Sequence, residues 1–320
     1  MMKKTIKVLS IPFLTIPLFT VAALAHAETK LSGFADIQYS GATDAWDEQG
    51  IYLNDAAIYL NHTAGSAEFL LDLPFSSSAG ESLLWAQEKV QAYLKLSFTP
   101  EFAIQTGQFD TLFGFEANDS KDLHFSAGGL LYNNVLPTSH MGLMGIYSVG
   151  AAKINLFAAN PDNQGILSGK NPDLGIQIAY EIAEDDPISV GALISSEGGK
   201  NKTLLNIVGG FDVTENLRAD LEFDIVSDPA LADTTLGYLL NLEYSLSEKH
   251  VWGLRTEYLF NGRNDETPTH SQFMVAVGPK CLVNENLSLK AEYNLGLNRT
   301  AEGSDNKVIN GARVSAVYSF

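Results

Sequence analysis

The sequence predicts an all-β protein, a transmembrane antiparallel β-barrel of about 16 strands. Three observations predict it. Apolar and polar residues alternate in segments of about ten residues along nearly the whole chain. The turns between these segments are tight and polar at one end, and longer and richer in Gly, Asn and Asp at the other. The last segment carries Val314, Ala316, Tyr318 and Phe320 on one face, and Phe320 is the final residue.

Residues 1–27 read as a cleaved secretory signal peptide. Lys3, Lys4 and Lys7 form a positive start, an apolar stretch runs from Val8 to Leu24, and Ala25-His26-Ala27 is a small-x-small cleavage motif before Glu28. The remainder, 28–320, is expected to be a single outer-membrane barrel domain, because no linker or shift in composition divides it. It has no apolar run near the ~20 residues that a membrane-spanning helix needs.

Strands are expected near 31–40, 51–62, 66–75, 84–98 and 101–109. After a long interruption they resume near 141–149, 151–159, 173–182, 187–195, 202–213, 216–226, 235–246, 250–261, 270–282, 286–297 and 308–320. The pattern is sharpest over 287–297, where Leu287, Leu289, Ala291, Tyr293, Leu295 and Leu297 oppose Ser288, Lys290, Glu292 and Asn294. It repeats over 217–225 and 89–98. Tight turns such as Thr99-Pro100 and Glu248-Lys249 alternate with longer connections at 40–50, 160–172, 227–234, 262–269 and 298–307. Short turns mark the periplasmic end of an outer-membrane barrel and longer loops the external end. Aromatic residues near strand ends are expected at the two membrane interfaces: Tyr39, Tyr52, Trp85, Phe98, Phe102, Tyr147, Tyr180, Tyr244, Trp252, Tyr293 and Tyr318. A soluble β-sandwich also alternates, but its solvent faces would not need the Leu, Tyr and Phe enrichment seen here.

A barrel of this size is too wide for its own side chains to fill. Its inward face would carry Asp36, Glu68, Asp72, Lys95, Lys153, Arg218, Asp220, Glu222, Asp224, Glu243, Arg255, Glu257, Lys290, Glu292 and Arg313, a wet and charged wall. The chain has 38 acidic against 20 basic residues, a net charge of −18. Without the leader, 17 basic residues face 38 acids, a net −21. Such acidity excludes a nucleic-acid partner, which needs a basic face. It suits a pore that attracts cations. Cys281 is the only cysteine, so there is no intramolecular disulfide and no cysteine metal cluster. No metal or cofactor is expected.

The interruption at 108–141 is much the longest, and loops of that length in compact proteins are functional or disordered. Phe109, Phe113 and Phe115, and the absence of low complexity, favour function. It is expected to fold into the lumen and narrow it, with Asp110, Glu116, Asp119, Lys121 and Asp122 as constriction candidates.

Three stretches carry a family resemblance: GFADIQYSG at 33–41, GQFDTLFGFEANDS at 107–120 and LLYNNVLPTSHMG at 130–142. They resemble the β-barrel porin family described as OmpL-like, with Phe109, Thr111, Phe113, Gly114 and Glu116 matching its pattern. The resemblance implies a porin of the Gram-negative outer membrane, a passive water-filled channel for small hydrophilic solutes or ions. In sixteen-stranded porins the third external loop folds inward, and here the long stretch is the third. A homotrimer is an expectation from the same resemblance. Tyr318 and Phe320 resemble the terminal signal read by the barrel-assembly machinery, and membrane lipid and lipopolysaccharide are the surrounding partners.

Two other functions fit the sequence less well. A barrel enzyme would need a positioned nucleophile, base and orienter. Ser139 and His140 are merely adjacent, and His62, His124, His250 and His270 sit in no hydrolase motif, so no catalytic residue is assigned. A structural anchor or adhesin would use the external loops, which are short. Acids such as Asp44, Asp47 and Glu48 could bridge divalent ions to lipopolysaccharide.

Overall fold

The computed structural model describes residues 27–42, 49–77, 84–85, 89–161, 171–183, 186–197, 200–228, 233–260, 263–264, 267–300 and 307–320. Residues 1–26 of the expected leader therefore lie outside the described residues, as do 43–48, 162–170, 229–232 and 301–306 in the longer connections, whereas its last residue, Ala27, is described.

Sixteen strands form one closed antiparallel sheet. They are β1 (Ala27–Ala42), β2 (Gly50–Ala64), β3 (Ala67–Ser76), β4 (Gln91–Ser97), β5 (Phe102–Asp110), β6 (Ser139–Val149), β7 (Ala152–Ala159) and β8 (Asp173–Ala183). The second half is β9 (Asp186–Glu197), β10 (Lys200–Thr214), β11 (Leu217–Asp228), β12 (Asp233–Ser247), β13 (His250–Phe260), β14 (Thr267–Leu282), β15 (Leu287–Thr300) and β16 (Lys307–Ser319). Two short ladders extend the rim: Leu84–Trp85 on β3 and Arg263–Asn264 on β14. Each strand pairs with its neighbours in sequence, and β16 returns to β1 in the register Phe34↔Ser319 through Ala42↔Gly311. Phe320 completes the seam, with Gly33 N–H donating to its carbonyl at 3.1 Å and its own N–H to Gly33 O at 3.0 Å.

The period of two explains which face is which. Along β11, Leu221 and Phe223 are exposed, whereas Asp220, Glu222 and Asp224 are buried. The same inversion holds on β15, with Leu289, Tyr293 and Leu295 exposed and Lys290, Glu292 and Asn294 buried. A soluble protein would bury the leucines. Here the apolar face is the outer, lipid-facing one and the polar face lines the interior. No helix among the described residues is long and apolar enough to cross a membrane. Gly65 and Gly150 adopt φ of +60° and +58° in two-residue turns, a left-handed conformation that a tight hairpin requires.

Three departures from strict alternation shape the interior. The expected strand 84–98 is interrupted, with the rim ladder at one end and β4 confined to Gln91–Ser97. In β2 the register slips, Asp36 facing Asp55 while Ile37 faces Leu53. Asn54 is therefore the extra residue of a β-bulge, and side chains on either side of it swap faces. Tyr52 consequently turns inward, where its hydroxyl accepts from the Gln38 amide, and leaves the expected interfacial belt. Finally, the inner wall is not polar throughout. Met144, Ile146, Phe157, Leu193, Leu204, Leu239 and Leu259 are buried inside and form one apolar cluster.

The two faces predict opposite responses to charge. Phe223→Arg, mid-strand on the lipid face, should cost about 2–4 kcal/mol in folding, while Leu246→Arg near the short-turn end should cost only about 0–1 kcal/mol. Reversible folding into lipid vesicles, followed by tryptophan fluorescence, measures both, and equal costs would contradict the assignment of the outer face.

Candidate functional site

Residues 111–138 join β5 to β6 without becoming a strand. They contain a 3-10 turn, Ser120–Asp122, and a short helix α1, Leu130–Asn134. Irregular backbone has N–H and C=O groups that must find partners elsewhere. In this segment many of them find inward-facing side chains of the wall.

The contacts run around the barrel. On β8, the Gln177 amide donates to Leu112 O. On β10 and β11, Asn206 accepts from Gly114 N–H at 3.2 Å and Glu222 from Phe115 N–H at 2.8 Å. On β2, Tyr59 donates its hydroxyl to Asp119 at 2.6 Å, and Asp55 accepts from Ser120 N–H at 2.8 Å. On β15, Lys290 donates to Ser120 O at 2.5 Å and Leu123 O at 2.7 Å. On β14, Lys280 also reaches Leu123 O, at 3.2 Å. On β13, Glu257 accepts from Leu131 N–H at 3.1 Å, and Arg255 donates to Ala127 O at 3.1 Å. Two serines reach across the β1–β16 seam. Ser120 bonds Asp55 on β2 and Lys290 on β15. Ser126 gives its N–H to Glu292 on β15, takes the Asn54 amide from β2 on its carbonyl, and pairs its hydroxyl with Ser315 on β16.

Apolar side chains dock as well, and glycines make room for them. A Cβ at Gly191 on β9 would lie 2.6 Å from the Phe113 ring. Gly237 on β12 likewise receives Leu131, and Gly253 on β13 receives the His124 ring. Phe113 and Leu131 join the apolar cluster of the inner wall. Within the segment, Gly114 has φ of +93° and Leu136 packs over it.

The constriction candidates take different places. Glu116 is buried, ion-paired with Arg255, and accepts from Gly129 N–H at 2.7 Å, which ties the two halves of the segment together. Asp110 ends β5 and accepts from Gln91 at 2.8 Å and Asn118 at 2.5 Å. Lys121 lies 2.5 Å from Asp122 and 3.9 Å from Asp119, over the Tyr59 and Phe34 rings. Burial pushes the Asp119 carboxyl up from its ordinary range, against the opposing pull of Tyr59 and Lys121. Asp122 has the most exposed acid side chain of the segment, at 52%.

The wall candidates are mostly engaged. Arg218 pairs with Asp220 at 3.0 Å and Asp212 at 3.6 Å, Lys95 with Glu68 at 3.3 Å, and Arg313 with Glu292 at 2.9 Å. Arg255 Nε lies 3.2 Å from Glu257. Sequence reasoning did not single out Asn54, Asp55, Tyr59, Asn206 or the three glycines. The β2 bulge hides the first two, and the others acquire meaning only from a partner far away in the chain. Ser139 accepts from Gln108 at 3.2 Å, while the His140 ring packs among Phe109, Phe113 and Phe157. No cluster of metal-ligating side chains occurs among the described residues.

The glycine sockets can be tested directly. Gly237→Val should displace Leu131 and destabilise the docked segment by about 1–3 kcal/mol, the usual cost of overpacking. Limited proteolysis should then cut within 111–138 while the barrel keeps its heat-modifiable mobility on a gel. Unchanged protection would show that the segment does not depend on the socket.

Comparison with known proteins places this architecture. No curated protein gives a significant sequence match. Among solved structures, the outer membrane channel DcaP of Acinetobacter baumannii superposes with a TM-score of 0.68 at 14% identity, over 92% of this chain and 97% of that one. An anion-selective porin from Comamonas acidovorans gives 0.68 at 12%, over 92% and 100%. The trimer form of OmpT, an outer membrane protein of Vibrio cholerae, gives 0.64 at 12%, over 92% and 100%. At these identities the likeness establishes the barrel fold. The family description beta-barrel porin-2, OmpL-like, matches residues 42–320, nearly the entire described barrel. The chain therefore belongs to the OmpL-like β-barrel porins and is an outer-membrane porin.

Proposed function

We propose that this porin is a passive channel for small hydrophilic solutes and ions, that segment 111–138 forms its constriction, and that it prefers cations. The observation that carries the reading is the inner wall, polar and charged on strand after strand and bonded to that one segment. The structural neighbour from Comamonas is anion-selective, so the fold leaves the sign of selectivity open and local charge decides it. Here acids outnumber bases both on the wall and in the segment. Glu116, Asp119 and Asp122 face only Lys121 within 111–138.

We also propose that 1–27 is removed as a signal peptide, that the barrel-assembly machinery reads Tyr318 and Phe320, and that lipopolysaccharide surrounds the external rim. Trimerisation is proposed by analogy with the trimer form of OmpT. Phe320→Asp should leave export intact but lower the amount of folded protein in the membrane fraction. Equal amounts of inserted mutant and parent would remove Phe320 from the assembly signal.

Selectivity provides the main test. In a water-filled passage a unit charge at ~4 Å is worth about 1 kcal/mol, a several-fold bias between ions of opposite sign. Reversal potentials in a salt gradient should therefore show cation preference. Asp119→Asn with Asp122→Asn should reduce it without stopping conduction. Glu116 stays in place, because it is committed to Arg255. Anion selectivity in the parent would overturn the charge argument. An unchanged double mutant would shift the selectivity to wall acids such as Asp220 and Glu222.

A further inference from the structure

Arg255 stands between two cavities inside the barrel. Asn241, Arg255, Ala276 and Asn294 form one register row across β12 to β15. A cavity of about 190 Å³ is lined by Leu130, Asn133, Arg255, Met274, Asn294 and Arg313. Met274 lies one step from the row toward the long-connection end. A second cavity, of about 130 Å³, is lined by Glu116, Asp122, His124, Asn241, Glu243 and Arg255. Glu243 lies one step from the row toward the short-turn end. Arg255 is the one side chain that lines both.

The groups that hold Arg255 explain why it can act as a partition. Its guanidinium is paired with Glu116 and Glu257, donates to Ala127 O and lies 5.0 Å from the Phe125 ring centroid. Except for Glu257, these partners belong to segment 111–138. The barrier between the two cavities is thus one wall side chain clasped by the segment. On the opposite flank a larger cavity of about 390 Å³ lies beside Ser195 and Lys202, but it is backed by the buried His140 ring and its aromatic neighbours. A passage there would have to break apolar packing. A passage at Arg255 needs only a rearrangement of polar contacts.

We infer that solutes cross the barrel between the two smaller cavities and that Arg255 sets the width and charge of that passage. This rests on the channel reading above and locates its route. The acids Glu116, Asp122, Glu243 and Glu257 outnumber the two arginines, Arg255 and Arg313, and leave the passage formally net negative. Arg255 would accordingly discriminate by size and by contact with polar or anionic groups of a solute, within a field that admits cations.

The test uses the full-length protein in planar bilayers. Cys281→Ser removes the native thiol. Arg255→Cys is then introduced together with Glu116→Gln, so that Glu116 is not left as an unpaired buried carboxylate. The unitary conductance of this variant should exceed that of its Cys281→Ser parent. A cationic methanethiosulfonate reagent added from either chamber should lower it again. Lys290→Cys lines neither cavity and should resist the reagent. Modification of Arg255→Cys without a change in current, or failure to react from either side, overturns the route. So does equal reaction at Lys290→Cys, which would indicate a loosened wall. Ser195→Cys modification that alone blocks current would place the route on the opposite flank. A parent and variant that both fail to conduct would instead defeat the channel reading and the route with it. A silent parent whose Arg255→Cys variant conducts supports Arg255 as the closing group.

Discussion

In hydrocarbon a backbone amide has no water to turn to, and leaving one unpaired costs several kcal/mol. Every strand of this protein therefore depends on having a neighbour on both sides, and the pairing of β16 with β1 is what makes that possible. Once the sheet is closed, its two faces have separate solvents. The outer face meets lipid and the inner face meets water and segment 111–138. The inverted burial pattern follows, with leucines exposed and carboxylates buried along one strand.

The charges on the inner wall also have a structural task. Segment 111–138 forms little regular structure, so its peptide groups rely on side chains such as Asn206, Glu222, Glu257 and Lys290. Burying such groups is costly unless each is paired or hydrogen-bonded. The wall and segment meet that condition jointly: Lys290 offers its protons to carbonyls, and the glutamates accept from N–H groups. Where Arg255 meets Glu116, the same trade joins a strand to both halves of the segment. The apolar half of the docking uses ordinary packing, and the sockets at Gly191, Gly237 and Gly253 let the segment approach the sheet closely.

Much of the barrel was legible because lipid imposes a simple rule on one face. β15 shows it well: six apolar residues in strict alternation announce a strand, its length and its outward side. The order and number of strands followed from repeating that rule. The rule is silent about the inner face, whose composition answers to contacts across the lumen. Phe157, Leu193 and Leu204 point inward among apolar partners, contrary to a uniformly charged wall. The β2 bulge turns Tyr52 inward, which no alternation pattern reveals. Of the candidate site, the acids at Glu116, Asp119 and Asp122 were visible as residues. Their engagement with Arg255, Tyr59 and Lys121 was not, since each of these contacts depends on the fold as a whole or on the local turn.

The two serines that reach across the seam bear on how the barrel comes together and comes apart. Joining β1 to β16 closes the longest loop in the chain, so it carries the largest loop-closure entropy of any strand pairing. Ser120 and Ser126 each hold β2 with one hydrogen-bonding group and β15 or β16 with another. They are separated from β2 by far fewer residues than β16 is. The segment is thus an internal splint, joining the N-terminal strands to the C-terminal ones from inside the barrel. Forced opening at the seam would have to break both the strand ladder and this inner bridge, which makes the chain's most distant pairing a doubly fastened joint.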